Sequence, residues 1–249
     1  SDQIGRFDIT VDDDTNSIVD YKWQLIPIDS NLAPPDQKLQ EFIDSFKGEV
    51  DRKYNTIICK LATEHTHPSR EEETSLGNLF ADAFAEIAES DVLLLGSGSI
   101  RGDKLGPMVT FRDLLTCFPY DDNLSRYTIT GENMTKVFNH ILRPENRNSE
   151  GECYQVNGKV KAVYNESKLE LDSLTIDNET VDPERLYTIG LQGFHFSSSD
   201  RYLNISNEEL LKSGKHKVVS TSTKQSLEEY LRNNQNINRI VEGRIVIKK

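Results

Sequence analysis

Residues 91–101 read DVLLLGSGSIR. The apolar run from Val92 to Leu95 has no polar face and reads as a buried strand, of the kind a layered α/β or α+β domain covers with other elements. It ends in Gly96-Ser97-Gly98-Ser99. Small residues there let the backbone come close to a ligand, because glycine has no Cβ to obstruct it. Arg101 follows at once, with a planar fork of donors suited to carboxylate, phosphate or vicinal oxygens. The run matches neither the phosphate-loop spacing, since no Gly-Lys-Ser/Thr follows, nor GxGxxG.

The chain around this strand divides into two styles. Residues 4–28 alternate apolar and polar on both sides of DDDTNS and predict a β-hairpin, too small to be a stable domain alone. The proline-bearing stretch SNLAPPD stops it. Leu39, Phe42, Ile43, Phe46 and Val50 then fall at helical spacing within 36–54, a connector helix. From Asn55 onward strands and helices mix. TIICKLA is a strand, and SLGNLFADAFAEIAES a helix with Leu76, Phe80, Ala83, Phe84 and Ile87 on one stripe and Ser75 as N-cap. TFRDLLTCF, ENMTKVFNHIL, EELLKSG and TKQSLEEYLRNN read as helices. NLSRYTITG, RLYTIGLQG and GRIVIKK read as strands, and YQVNGKVKAVYN and KLELDSLTID as antiparallel strands. There are no internal repeats.

Composition narrows the partners. The 249 residues carry a formal net charge of -12 and are 36% hydrophobic, enough for one large domain or two small ones with a substantial core. A surface of this sign repels phosphate backbones, which argues against DNA or RNA polymers as partners. A local arginine cluster still permits a small anionic ligand. Cys59, Cys117 and Cys153 are odd in number, lack metal-type spacing and read as small apolar residues rather than disulfide partners. No apolar run approaches the ~20 residues that span a bilayer. No signal peptide is read, but the chain does not begin with Met and starts inside a strand-like pattern, so a fragment is expected and that absence says little about the native protein.

Further segments carry candidate chemistry. Arg70 stands just before a helix in HPSREEETSLGNLFADAF. Tyr120 follows a proline in FPYDDNL. Phe194 and Phe196 stand in QGFHFSSSDRY, read as a loop, with Asp200 six residues past Phe194. His65 and His67 alternate in EHTHPSR and could share a strand face, but no third ligand is near in sequence, so they read as surface or loop residues. His195 reads as a loop histidine without catalytic role. His140 and His216 give no signal. Glu71–Glu73 read as a solvated helix start and Asp121-Asp122 as a turn.

Taken in order, R-x6-GNL-x2-D, GSGSIR, GPMVT, FPY, YQVNG, YTIGLQGF with an aspartate downstream, and VEGRI resemble the C-terminal domain of the 5'-nucleotidase family. That family also contains UDP-sugar hydrolases and 2',3'-cyclic-nucleotide phosphodiesterases. The resemblance implies a layered αββα sandwich of mixed sheets with covering helices over 55–249. It implies that residues 1–29 are a hairpin remnant of an N-terminal metallophosphatase domain and 30–54 a linker helix. In the family this domain binds the nucleoside part of a nucleotide between two aromatics. By that resemblance Arg70 and Arg101 grip the ribose side, Tyr120 and Phe194 stack on the base, and Asp200 accepts ribose hydroxyls. Gly96 and Gly98 lie at the approach.

Many members carry Asn where Gly96 stands, so the resemblance implies broad or shifted base recognition here. The family's two divalent metal ions belong to the N-terminal domain, whose DxH, GNHE and GHxH motifs this chain lacks. The expectation is therefore a non-catalytic substrate-specificity domain of a phosphoric-ester hydrolase in nucleotide catabolism. Its partners would be a nucleotide or nucleoside and its own metallophosphatase domain. The alternative is a stand-alone nucleoside-binding module. Family members are often extracytoplasmic. The scissile bond, whether in a 5'-, 3'- or 2',3'-cyclic nucleotide or a UDP-sugar, is left open.

Overall fold

The computed structural model of the chain describes residues 2–29, 31–32, 34–147 and 153–249. It divides into two compact units, 1–53 and 54–249. The stop signal SNLAPPD falls partly outside the described residues, at Ser30 and Ala33.

The first unit pairs β1 (Gln3–Asp12) with β2 (Ser17–Pro27) in antiparallel register, and continues into α1 (Gln37–Tyr54). Phe7 stands opposite Trp23, Ile9 opposite Tyr21 and Gly5 opposite Leu25, while Arg6 faces Gln24 and Asp8 faces Lys22. The period of two therefore makes one face apolar, while the other carries Arg6, Asp8, Lys22 and Gln24 beside the Ile4–Ile26 pair. Phe7, Ile9, Tyr21, Trp23 and Leu25 are exposed, as are Leu39, Phe42, Ile43, Phe46 and Val50 of α1. The helical stripe read from the sequence is present, and no residue of α1 is buried.

The second unit opens with β3 (Ile57–Lys60), β4 (His65–Thr66), α2 (Ser75–Ala88) and β5 (Val92–Gly96). Then come β6 (Lys104–Leu105), β7 (Met108–Thr110), α3 (Phe111–Cys117), β8 (Leu124–Thr130), α4 (Gly131–Ile141) and α5 (Pro144–Arg147). Next are β9 (Tyr154–Val156), β10 (Val160–Asn165), β11 (Glu170–Ile176), β12 (Glu179–Thr180) and β13 (Leu186–Gln192). The chain closes with α6 (Gly193–Ser197), α7 (Ser199–Tyr202), α8 (Asn207–Leu211), β14 (Lys217–Ser220), α9 (Thr223–Asn233) and β15 (Ile245–Lys248).

Two mixed sheets organise this unit. One is ordered β14-β8-β13-β5-β9 and the other β12-β11-β10-β15. β5 explains the apolar run at 92–95. Leu93 and Leu95 point into a core shared with α2, α3 and α9, whereas Val92 and Leu94 enter a second core with α4, β10 and β11. A strand between two cores must be apolar on both faces. The expected arrangement of mixed sheets with covering helices is thus present.

The structure corrects several sequence readings. The N-cap of α2 is Thr74, not Ser75. Thr74 Oγ1 accepts from the Gly77 amide at 3.0 Å, while Ser75 Oγ is taken by the Thr66 amide at 2.8 Å. YQVNGKVKAVYN is two strands, β9 and β10, in different sheets. Asn157 ends β9 because its side chain, rather than its backbone, pairs with β5: Oδ1 accepts from the Leu93 amide at 2.8 Å. His65 and His67 are buried rather than surface residues. His65 Nδ1 donates to the Thr63 carbonyl at 3.1 Å and Nε2 accepts from the Arg239 amide at 2.8 Å, so both ring nitrogens are engaged. His67 Nδ1 lies 2.8 Å from Thr74 Oγ1. Phe194 and Phe196 sit on the short helix α6, not in a loop.

Candidate functional site

The site forms where two neighbouring parallel strands end. Ile189 of β13 stands opposite Val92 of β5, and Gly190 opposite Leu93. Parallel strands finish on the same edge of a sheet, and such edges commonly receive ligands. Beyond β5 the chain makes one 3-10 turn, Ser97–Ser99, and beyond β13 it enters α6. The segment between α3 and β8 brings Tyr120 to the same place.

A cleft of about 480 Å³ results. Of the residues expected from the sequence, Arg70, Gly98, Arg101, Tyr120 and Phe194 line it. Asp200 and Gly96 do not. Asp200 is exposed on α7, and Gly96 is the buried last residue of β5. The sequence reading missed Ser99, Asp121, Asp122, Gln192 and His195, which also line the cleft.

The two aromatic rings stand out. Tyr120 is 48% exposed and Phe194 54%, although both belong to an otherwise well-packed unit. Large exposed rings in a concavity mark a surface meant to be covered. The Arg101 guanidinium lies 5.7 Å from the Tyr120 ring centroid, a cation–π contact that holds charge and ring together. The Arg101 backbone amide donates to the Cys117 carbonyl at 2.7 Å, tying the turn after β5 to the end of α3.

Gln155, fully buried on β9, joins the other walls. Its Nε2 donates to the Glu72 carbonyl at 2.8 Å and to Ser97 Oγ at 2.7 Å, and its Oε1 accepts from the Thr74 amide at 3.1 Å. One amide group thus fixes the Arg70 segment, the start of α2 and the small-residue turn relative to one another. Gly77 is required here, since a Cβ at that position would overlap the Gln155 side chain. Ser99 Oγ donates to Gln192 Oε1 at 3.1 Å, joining the ends of β5 and β13.

His195 is a buried residue of α6, not a loop histidine. Its Nδ1 lies 3.0 Å from the Tyr154 hydroxyl, and its ring meets Phe194 edge-on, with centroids 5.3 Å apart at 78°. Burial pushes its pKa down to about 4, against the opposing pull of the Asp122 carboxylate, so the imidazole is neutral at pH 7. The cleft therefore offers two permanent cations, two stacking faces and neutral or anionic polar groups. That set suits a planar ring attached to an oxygen-rich, anionic group. Among the described residues that line it, none is a nucleophile hydrogen-bonded to a base. Among the described residues no group of three or more His, Cys, Asp or Glu could hold a metal ion.

The family model for the 5'-nucleotidase C-terminal domain matches residues 56–206, and the chain belongs to that family. Curated relatives include the endonuclease YhcR of Bacillus subtilis (strain 168), 24% identical over 77% of this chain and 15% of that protein. An apyrase of Tabanus yao is 25% identical over 77% of this chain and 39% of its own length. A 5'-nucleotidase of Vibrio vulnificus (strain CMCP6) is 28% identical over 59% of this chain and 28% of its own length. A putative 5'-nucleotidase of Staphylococcus aureus, solved in complex with alpha-ketoglutarate, shares the fold with TM-score 0.70 at 16% identity, over 100% of this chain and 51% of that one. The 5'-nucleotidase precursor of Thermus thermophilus does so with TM-score 0.66 at 17% identity, over 99% of this chain and 50% of that one. The chain thus spans about half the length of these solved structures, and less of the curated relatives. Among the described residues no helix is long and apolar enough to cross a membrane.

Proposed function

We propose that this chain is the substrate-binding part of a metal-dependent nucleotide phosphohydrolase and holds the nucleoside in the cleft at the ends of β5 and β13. Tyr120 and Phe194 stack on the base, and Arg70 and Arg101 hold the sugar and its oxygens. The observation that carries this reading is the pair of half-exposed aromatic rings lining one cleft with two arginines. Stacking on a base contributes about 1–3 kcal/mol and tolerates any base. The role of Asp200 at the ribose hydroxyls rests on the family resemblance.

The hydrolytic step is assigned to a further domain. By the family resemblance, two divalent ions there would clamp the phosphate and activate water. Two observations support such a domain. The relatives extend well beyond the matched region. The one-sided apolar face of the β1–β2 hairpin is exposed, as a surface made for a partner is.

Isothermal titration of the chain with adenosine, AMP and uridine, in EDTA, tests the reading. Binding that Arg101→Ala or Phe194→Ala abolishes is the expected result. Binding untouched by either substitution would overturn the assignment of the cleft. Metal-dependent AMP hydrolysis proportional to the amount of pure chain would overturn the separation of binding from chemistry.

A further inference from the structure

Asp122 is placed to control the cleft without being its most exposed group. It follows Tyr120 by two residues, and its carboxylate reaches across to α6. Oδ2 accepts from the Phe194 amide at 2.6 Å, and Oδ1 from the Asn123 amide at 2.7 Å. The neighbouring Gly193 amide donates to the Asn123 carbonyl at 3.1 Å. The strand-to-helix junction that carries one aromatic wall is thus bonded to the segment that carries the other.

The other side of Asp122 is anchored as well. Its carbonyl accepts from the Thr223 amide at 2.8 Å, and its amide donates to Thr223 Oγ1 at 3.3 Å. Asp121 accepts from Ser222 Oγ at 2.8 Å. The first turn of α9 therefore holds the Tyr120 segment while Asp122 holds α6. The approach is as close as the chain allows, for a Cβ on Gly193 would stand 2.5 Å from Asp122 Oδ1. A side chain at 193 would have to displace the Asp122 carboxylate from its bond or move α6.

We propose that Asp122 is a positioning residue that sets the spacing of the two aromatic walls, and with it the thickness of the planar group the cleft accepts. Asp121 and Asp122 are then not a free turn. One carboxylate is spent on α9 and the other on α6. For its ligand this inference rests on the nucleoside reading, but its geometry stands independently. A charged acceptor for a backbone amide is stronger than a neutral one, which suits a bond that must hold a gap fixed.

The experiment compares wild type, Asp122→Ala, Asp122→Asn and Gly193→Ala in the 249-residue chain. Adenosine affinity is read by calorimetry, and amide exchange at Phe194 by NMR without ligand. Circular dichroism checks that each variant is folded. Asp122→Ala and Gly193→Ala should each weaken adenosine binding about tenfold, part of the roughly 5- to 150-fold that a stacking wall contributes. In both, exchange at Phe194 should accelerate about tenfold or more. Asp122→Asn keeps one acceptor oxygen and should recover part of both effects. Folded Asp122→Ala with wild-type affinity and wild-type exchange at Phe194 would overturn the proposal. If wild type binds no adenosine, the nucleoside reading fails, and the Phe194 exchange rates alone decide whether the brace exists.

Discussion

Asp82→Ala should destabilise the second unit severely, and the structure gives the size of the effect. Arg244 is only 2% exposed, yet carries a full charge. Its Nη1 donates to Asp82 Oδ1 and to the Val156 carbonyl, each at 2.8 Å, its Nη2 to Asp82 Oδ2 at 3.0 Å, and its Nε to Glu242 Oε2 at 2.9 Å. Asp82 also accepts from Arg239 Nε at 2.6 Å and from the Gly158 amide at 2.8 Å. One carboxylate on α2 thus fastens the segment before β15 and the turn after β9. Removing it leaves a buried guanidinium without its bidentate partner, which costs about 3–5 kcal/mol. In a unit of this size each kcal/mol lowers the melting temperature by roughly 2–4 °C, so a fall of roughly 6–20 °C is expected.

Urea unfolding followed by circular dichroism reads the free energy directly, provided the slope matches wild type. Arg244→Met should cost less, because it removes the charge instead of stranding it. Added salt should not narrow the gap between Asp82→Ala and wild type, since a buried pair is poorly screened. A loss below about 1 kcal/mol would show that Arg244 is not held as a buried charge, because that is the range of an exposed pair.

Two further outcomes follow from the same geometry. Thr74→Ala removes the cap of α2 and the partner of His67, and should cost about 1–2 kcal/mol in urea unfolding, with Thr74→Ser recovering most of it. His195 gives a pH dependence whose sign is fixed. Its folded pKa is about 4, below the 6.5 of the free side chain, so the unfolded chain binds the proton first. Stability is full above about pH 6.5 and falls as the pH drops toward 4, by on the order of 3 kcal/mol from this residue. His195→Gln should flatten that part of the stability profile. A profile identical to wild type would contradict the burial argument.

The strands and helices were readable where periodicity is local. Leu76, Phe80, Ala83 and Phe84 sit on one stripe of α2 and all are buried, because a 3.6-residue period alone puts them on one face. What escaped depends on partners outside the helical or strand period. Thr74 and Ser75 are equally good caps in sequence, and the choice is made by Thr66, whose amide claims Ser75. His65 looks like a surface residue until Arg239, 174 positions later, covers it. The aromatics and arginines of the cleft were legible through the motifs that surround them. Gln155, Gln192 and Asp122 were not, since a polar residue that braces a site has the same local signature as one facing water. Asp200 matches the motif but stands on α7, outside the lining of the cleft, so its role rests on the resemblance alone.

The proposed metal-independent nucleoside site lies between Tyr120 and Phe194. Chemical-shift mapping of the isotope-labelled chain with adenosine in EDTA tests it most directly. Saturable shifts concentrated at Gly98, Ser99, Arg101, Tyr120, Gln192 and Phe194 are expected. Shifts confined to another surface, or none at millimolar adenosine, would contradict the proposal.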